Sequence, residues 1–242
     1  MPTVPKWLAN GMEKVFSGMM QPVEVSEIEY LDKRLKRVRF SGDLSKTKFT
    51  AGDAIEFRID DTNFRHYTPS FYDKSDGICE VLFYLHGYGI GSDWANDLKV
   101  GDRMKLMGPG GKMKFKEEAR QHFCFGDETS LGVCLSFQTA VQQAERKLQC
   151  LLELEPTTKN WVNLIQLDTE IVEKSKEKPA KGAIEWLDEQ TEATWGDWQD
   201  SIFYLTGRAK SIQVFRKALI NKGVNAKQIQ RMPYWAEGKK GL

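Results

Sequence analysis

The chain has no apolar run near the roughly 20 residues that a bilayer-spanning helix needs. It has no excess of charge of either sign. Its 35 Lys and Arg stand against 34 Asp and Glu, a formal net charge of +1. Divided at Phe115, the first part carries 17 basic and 16 acidic residues and the second 18 of each. Neither part is a basic arm, which argues against a nucleic-acid partner. Histidine is scarce. His66, His86 and His122 form no HxH or HExxH pattern, so a protein-held metal site is not expected. Cysteine is scarce and unpatterned. Cys79, Cys124, Cys134 and Cys150 make no CxxC, and Cys124 and Cys134 sit in apolar runs as buried thiols. At the N-terminus, Lys6-Trp-Leu-Ala-Asn is followed at once by Met12-Glu-Lys, which leaves no room for the apolar region of a signal peptide. A reduced, cytoplasmic protein is the consistent expectation.

What is present is a chain of 242 residues, 40% hydrophobic and 29% charged. That suffices for one large domain or two smaller ones, and it is too apolar for a disordered chain. Seven Trp raise the question of a site, because aromatics fill cores and also form platforms for planar ligands. Trp7, Met12, Val15, Phe16 and Met19 have near-helical spacing, which predicts a short amphipathic helix docked on the body rather than a membrane-surface anchor.

The first part alternates with period two. Pro22–Tyr30, Leu35–Phe40, Ala54–Ile59, Cys79–His86 and Arg103–Gly108 read as strands of an antiparallel sheet or small barrel. Gly91-Ser-Asp opens a single inserted helix carrying Trp94 and Leu98. After Pro109-Gly-Gly the period changes. His122–Gly126 reads as a strand, Ser130–Lys147 as a helix and Leu148–Glu155 as a strand. Val162–Leu167 fits a strand or a short helix, Lys174–Gly182 a loop and Ile184–Leu187 a strand. Ser201–Gly207 is a strand and Ser211–Lys222 an amphipathic helix. Alternation of strands with helices predicts a parallel sheet. The expected domains are 1–115, an antiparallel β-barrel with an N-terminal helix, and 116–242, an α/β nucleotide-binding domain.

Three motifs carry chemistry. Arg65-His-Tyr-Thr-Pro-Ser has the form R-x-Y-[ST]-x-[ST]. An Arg fork pairs with a diphosphate, a Tyr ring covers a planar group and a hydroxyl bonds a ring edge. The ordinary alternative is a turn between strands, with Arg65 in a surface pair and Tyr67 in the core. His86-Gly-Tyr-Gly-Ile-Gly-Ser-Asp-Trp-Ala follows a strand directly and places glycines before a helix N-terminus, where phosphates bind. Gly126-Asp-Glu-Thr joins a strand to a helix, where a dinucleotide would dock. An N-cap role alone explains Asp127 and Thr129.

These motifs, with Gly101-Asp102, Gly108-Pro-Gly-Gly111, Tyr204-Leu-Thr-Gly207 and Pro233-Tyr-Trp-Ala-Glu-Gly, resemble the siderophore-interacting proteins. Those are flavin-dependent ferric-chelate reductases with the ferredoxin–NADP reductase fold. The chain departs from the pattern at Ser70, where the family carries a basic residue, and at Ile90-Gly91-Ser92, where Pro precedes a small residue. The resemblance implies an FAD cofactor held by Arg65, Tyr67, Thr68, Ser70, His86, Gly87, Gly89, Gly91 and Ser92. It implies that Asp127, Glu128 and Thr129 line the cleft between the domains, that Gly207 faces the nicotinamide side and that Tyr234 and Trp235 cover the flavin or the adenine. Trp94 is expected in the barrel core, and Trp235 fits a hydrophobic groove nearly as well as a flavin cover.

The implied reaction passes electrons from NAD(P)H through FAD to a ferric siderophore or another Fe(III) chelate. Lys48, Arg103, Lys105, Lys112 and Lys114 are candidate chelate contacts, each equally a solvated strand face. The acid-rich strand end at Glu153 and Glu155 suits a ribose hydroxyl, whereas Lys159 argues for a 2′-phosphate, so the nicotinamide preference stays open. The alternative is a reductase for a ferredoxin- or flavodoxin-type carrier, with Lys33-Arg-Leu-Lys-Arg-Val-Arg39 as its docking run. A binding module that lost its flavin is disfavoured by the intact Arg65, Tyr67 and Thr68.

Overall fold

A computed structural model describes Pro5, Trp7 and residues 20–239. The helix expected over Trp7–Met20 lies almost entirely outside the described residues. Contacts divide the chain into two units, one ending at Lys114 and one running from Phe115 to Lys239.

The first unit contains β1 (Met20–Asp32), β2 (Leu35–Gly42), β3 (Ala54–Arg58), β4 (Phe64–Tyr67), β5 (Phe71–Asp73), β6 (Ile78–Tyr84), α1 (Ile90–Asp97) and β7 (Arg103–Gly110). The strands form one sheet in the order β4-β3-β7-β1-β2-β6-β5, with antiparallel pairing between neighbours. The expected barrel is therefore barrel-like but open, because β4 and β5 stand at the two edges. Period-two alternation builds its core. Val23 and Val25, Val38 and Phe40, Ile55 and Phe57, and Cys79, Val81 and Phe83 all point inward. Ala95 and Leu98 join them, and Trp94 packs among Phe57, Tyr67 and Phe83, which is the core position expected for it.

The second unit contains β8 (Gln121–Gly126), α2 (Leu131–Ala144), β9 (Lys147–Leu154), α3 (Trp161–Leu164), β10 (Glu170–Glu173), α4 (Lys181–Glu189), α5 (Glu192–Trp195), β11 (Ile202–Arg208), α6 (Ala209–Asn221) and β12 (Ile229–Trp235). Its five strands run parallel in the order β10-β9-β8-β11-β12. The chain winds one way from β8 to β10 and the other way from β11 to β12. The switch point thus lies between β8 and β11, where doubly wound sheets place their ligands.

One sequence expectation is corrected here. Ile184–Leu187 is not a strand but part of α4, whose buried Ala183 and Leu187 lie four apart. A short apolar run does not separate the two periods. The strand β10 follows α3 in a segment too short and too charged to announce itself. At Val162–Leu167 the short-helix option is the one realised, as α3.

Phe123 centres the second core, ringed by Trp186, Trp195, Phe203 and Phe215. His122 is fully buried, stacked on Phe115 at 4.2 Å and in hydrogen-bond contact with the Tyr204 hydroxyl at 3.2 Å. All four cysteines are buried and free, as expected. Cys124 of β8 lies 3.4 Å from Cys134 of α2. Replacement of Phe123 by Ala removes a fully buried ring from five-strand packing and is expected to cost about 4 kcal/mol. Urea unfolding followed by tryptophan fluorescence measures this, and a loss below about 1 kcal/mol would contradict the assigned core.

Candidate functional site

Arg65 and Tyr67 lie two apart on β4 and so share one face of the sheet. Both close on α1. A Cβ built at Gly91 would lie 3.3 Å from Arg65 Cγ and Nε and 3.3 Å from the Tyr67 hydroxyl, so any larger residue would crowd both side chains. The Tyr67 hydroxyl faces the Gly91 carbonyl at 3.5 Å. Its ring stacks on Trp94 at 6.1 Å and meets Phe83 edge-on at 4.7 Å. Burial holds the phenol well above its ordinary range, so it stays protonated as a donor. Arg65 donates to its neighbour's carbonyl, Phe64 O, at 2.8 Å and makes no ion pair among the described residues.

The glycine-rich turn is shaped from within. Gly87 N–H donates to Ser92 Oγ at 3.1 Å and Tyr88 N–H to His86 Nδ1 at 3.2 Å. Gly89 is the N-cap of α1 with φ +83°, and it brings no side chain to cap the helix. These observations fit a flavin dinucleotide: an unpaired guanidinium, a tyrosine and a helix start without a side-chain cap meet at one place. Two expected contacts have other work. Ser70 is buried, and both its N–H and its Oγ bond Glu80 O. The Ser92 hydroxyl closes the turn. Thr68 follows β4 directly and is half-buried.

Within the basic run Lys33–Arg39, two arginines are ion-paired and one lysine is buried, while Lys33 is exposed. Arg37 pairs with Glu29 at 2.9 Å, and Arg39 with Glu27 and Glu80 at 2.5 and 2.6 Å. Lys36 is fully buried, and its ammonium donates to three carbonyls at the end of α1. The signal was in the alternation: Lys36 shares the inward face of β2 with Val38 and Phe40. Among the candidate chelate contacts, Arg103 pairs with Glu24 at 2.8 Å and Lys114 with Asp53 at 3.6 Å, while Lys48 and Lys112 are exposed.

In the second unit the remaining predicted residues converge at the switch point. Asp127 follows β8, is fully buried and caps the turn before α2, accepting from Thr129 N–H at 2.9 Å and Thr129 Oγ1 at 2.5 Å. Its other oxygen accepts from the Trp235 indole N–H at 2.7 Å. Gly207 has φ +90°, and a Cβ there would lie 2.7 Å from the Asp127 carboxyl carbon, which explains the glycine. Sequence reasoning missed the cations of this cluster. Lys174 donates to Glu128 at 2.5 Å and approaches Asp127 at 3.4 Å. Arg208 donates to Ser175 O, Lys176 O and Glu237. Both cations lie over the Trp235 ring, at 5.2 and 5.8 Å from its centroid. Although burial opposes it, the Asp127 and Glu128 carboxylates hold the Lys174 ammonium above its ordinary range.

The acid-rich strand end is also committed. Glu153 is buried and accepts from Ala180 N–H at the start of α4 at 3.2 Å. Glu155 N–H donates to Glu128 Oε1 at 2.8 Å, and Lys159 pairs with Glu173 at 3.4 Å.

With this geometry established, the likeness to known proteins can be placed. A family model described as the siderophore-interacting FAD-binding domain matches residues 46–113, the span from the end of β2 through β7 that holds Arg65, Tyr67 and α1. Similar solved structures include a ferredoxin reductase in carbazole 1,9a-dioxygenase, at 20% identity and TM-score 0.73 over 89% of this chain and 69% of that one. A siderophore utilization protein from T. fusca matches at 18% and 0.69 over 92% and 95%, and the siderophore-interacting protein SipS from Aeromonas hydrophila at 18% and 0.67 over 90% and 99%. No curated protein matches in sequence. The class is therefore a ferredoxin-reductase-like fold, an antiparallel sheet followed by a parallel α/β sheet. Within that class, residues 46–113 match the model of the siderophore-interacting FAD-binding domain, in agreement with the resemblance read from the motifs.

Two buried groups of the second unit set opposite pH dependences. Burial, with the Asp127 charge adding, pushes the Glu153 carboxyl up to about 7. The stabilisation of its protonated form is present below the unfolded value near 4.5 and is lost as pH rises through 7. Burial lowers His122 from 6.5 to about 4, so its contribution is lost as pH falls from 6.5 through 4. The Glu153→Gln variant isolates the first effect. Its stability relative to the parent is expected to rise by on the order of 3 kcal/mol between pH 4.5 and 8. Urea unfolding at both pH values tests this, and a constant difference would contradict it.

Proposed function

We propose that the chain is an FAD-dependent oxidoreductase that takes electrons from NAD(P)H and reduces a ferric siderophore, or another Fe(III) chelate, to release Fe(II). The observation that carries this reading is the meeting of unpaired Arg65, Tyr67 and the side-chain-free start of α1 inside the segment matched by the FAD-binding model. In this reading Arg65 pairs with the flavin diphosphate, and the first N–H groups of α1 receive its other oxygens. Tyr67 borders the isoalloxazine, and the Thr68 hydroxyl bonds its edge. His86 and Gly87 carry the turn that presents α1. Bound FAD supplies hydride acceptance and single-electron release, and the residues of the chain hold and orient it.

A second reading, a reductase that exchanges electrons with a ferredoxin- or flavodoxin-type carrier, has one observation in its favour. Trp235, Arg208 and Glu237 fill the carboxyl end of β8 and β11, the place where a nicotinamide dinucleotide docks in sheets of this kind. Anaerobic stopped-flow separates the two. The FAD-loaded chain is mixed with NADH, NADPH or a reduced carrier, then with ferric chelates. The first reading expects rapid flavin bleaching by a nicotinamide and reoxidation by the chelate. Turnover with the carrier alone, with chelates inert, would contradict it.

The residue assignment has its own test. Arg65→Ala removes a charge-assisted contact and is expected to weaken FAD binding by about 2 kcal/mol, roughly 30-fold, as read by flavin fluorescence. An unchanged dissociation constant would remove Arg65 from the site.

A further inference from the structure

The most heavily committed charge in the first unit is Lys36, and the FAD reading gives it no role. Its ammonium is fully buried and donates to Ala95 O at 2.8 Å, Asn96 O at 2.9 Å and Leu98 O at 3.0 Å. An ammonium has three donors, and all three are used on one helix end. The end needs them. Helix α1 has eight residues and no basic residue in its last turn. It leaves the helix through Leu98 at φ −56° and ψ 135°, not through the left-handed residue that commonly satisfies terminal carbonyls.

Burial of a charge is costly, and it is tolerated where the charge is paired. Lys36 makes no ion pair among the described residues, and the face of the Tyr30 ring lies 5.2 Å away. Its counter-charge is therefore the negative end of α1 itself, the arrangement in which a cation and a helix dipole stabilise each other. Packing alone does not ask for this. The same face of β2 is filled by Val38 and Phe40, and an apolar residue would serve the core at position 36. What the ammonium adds is orientation. It ties the far end of α1 to an interior strand of the sheet, and in the first turn of α1 Gly91 lies against Arg65 and Tyr67.

We infer that Lys36 is a positioning residue for the dinucleotide's diphosphate: from the core, it holds α1 so that the helix N–H groups face the phosphates. This rests on the FAD reading and assigns within it a residue that touches no ligand. The inference separates two parts of the ligand. The isoalloxazine is met by Tyr67, which β4 carries and which rests on Phe83 of β6 as well as on Gly91 and Trp94 of α1. The diphosphate is met by the start of α1, whose carbonyl end Lys36 holds.

The test is the affinity of the full chain and of Lys36→Met for FAD and for riboflavin, which has the ring and no phosphate. The expected result is a loss of about 10-fold for FAD with riboflavin binding unchanged within about twofold. A structural residue would lower both together through the folded fraction, so circular dichroism and the thermal midpoint are recorded on the same samples. If Lys36→Met does not fold, Lys36→Gln, which retains two donors, carries the same comparison. Equal losses for the two ligands, or no loss for FAD, overturn the inference. A parent chain that binds neither ligand overturns the FAD reading itself. A parent that binds FAD beside a variant with the parent's FAD-to-riboflavin ratio overturns only the role of Lys36.

Discussion

One buried ammonium closes the carbonyl end of the helix inserted in the first unit. Helix α1 is too short to stand on its own, since isolated helices below about 12 residues are marginal in water. Two contacts hold it. Its apolar face, Ala95 with Leu98 and Trp94, joins the core of the sheet. Its carbonyl end is closed by Lys36 from β2, across 59 to 62 residues of sequence. The amide end follows Gly89 without a side-chain cap, and Arg65 and Tyr67 arrive from β4 against Gly91 in its first turn. The proposed flavin site follows from a strand edge and a helix start that the core holds together.

The second unit answers a similar demand differently. The carboxyl ends of its parallel strands collect Asp127, Glu128 and Glu153 against Lys174 and Arg208, all buried or nearly so. Such a cluster is stable when its members are mutually bonded and costly when one is removed. Trp235 completes it, with its indole N–H on Asp127 and two cations over its ring. The turn before α2 is thereby capped by the protein's own carboxylate, whereas the start of α1 has no such cap. The contrast distinguishes the two starts: α1 has no side-chain cap, and the turn before α2 is satisfied by Asp127.

The sequence disclosed what is periodic or locally patterned. The inward rows Val23-Val25, Val38-Phe40 and Ile55-Phe57 were readable because strands alternate, whereas Gly91-Ser-Asp announced α1 but does not cap it, since the helix starts at Ile90 after Gly89. The Arg65–Tyr67 pair and the glycine turn were readable as motifs. The uses of Ser70, Ser92, Asp127 and Gly207 were not, because each depends on a partner distant in sequence or on backbone geometry. Lys36 was misplaced for an instructive reason. Amid Lys33, Arg34, Arg37 and Arg39 it read as part of a basic surface, although its parity with Val38 put it inside. Ile184–Leu187 failed because four apolar-rich residues carry neither period.

The central claim is that the FAD dinucleotide sits where Arg65, Tyr67 and the start of α1 meet. Amide hydrogen exchange of the full chain with and without saturating FAD tests it most directly. The account predicts slowed exchange concentrated in residues 65–68 and 86–93. Exchange left unchanged there, or protection found instead around Asp127 and Trp235 alone, would contradict it.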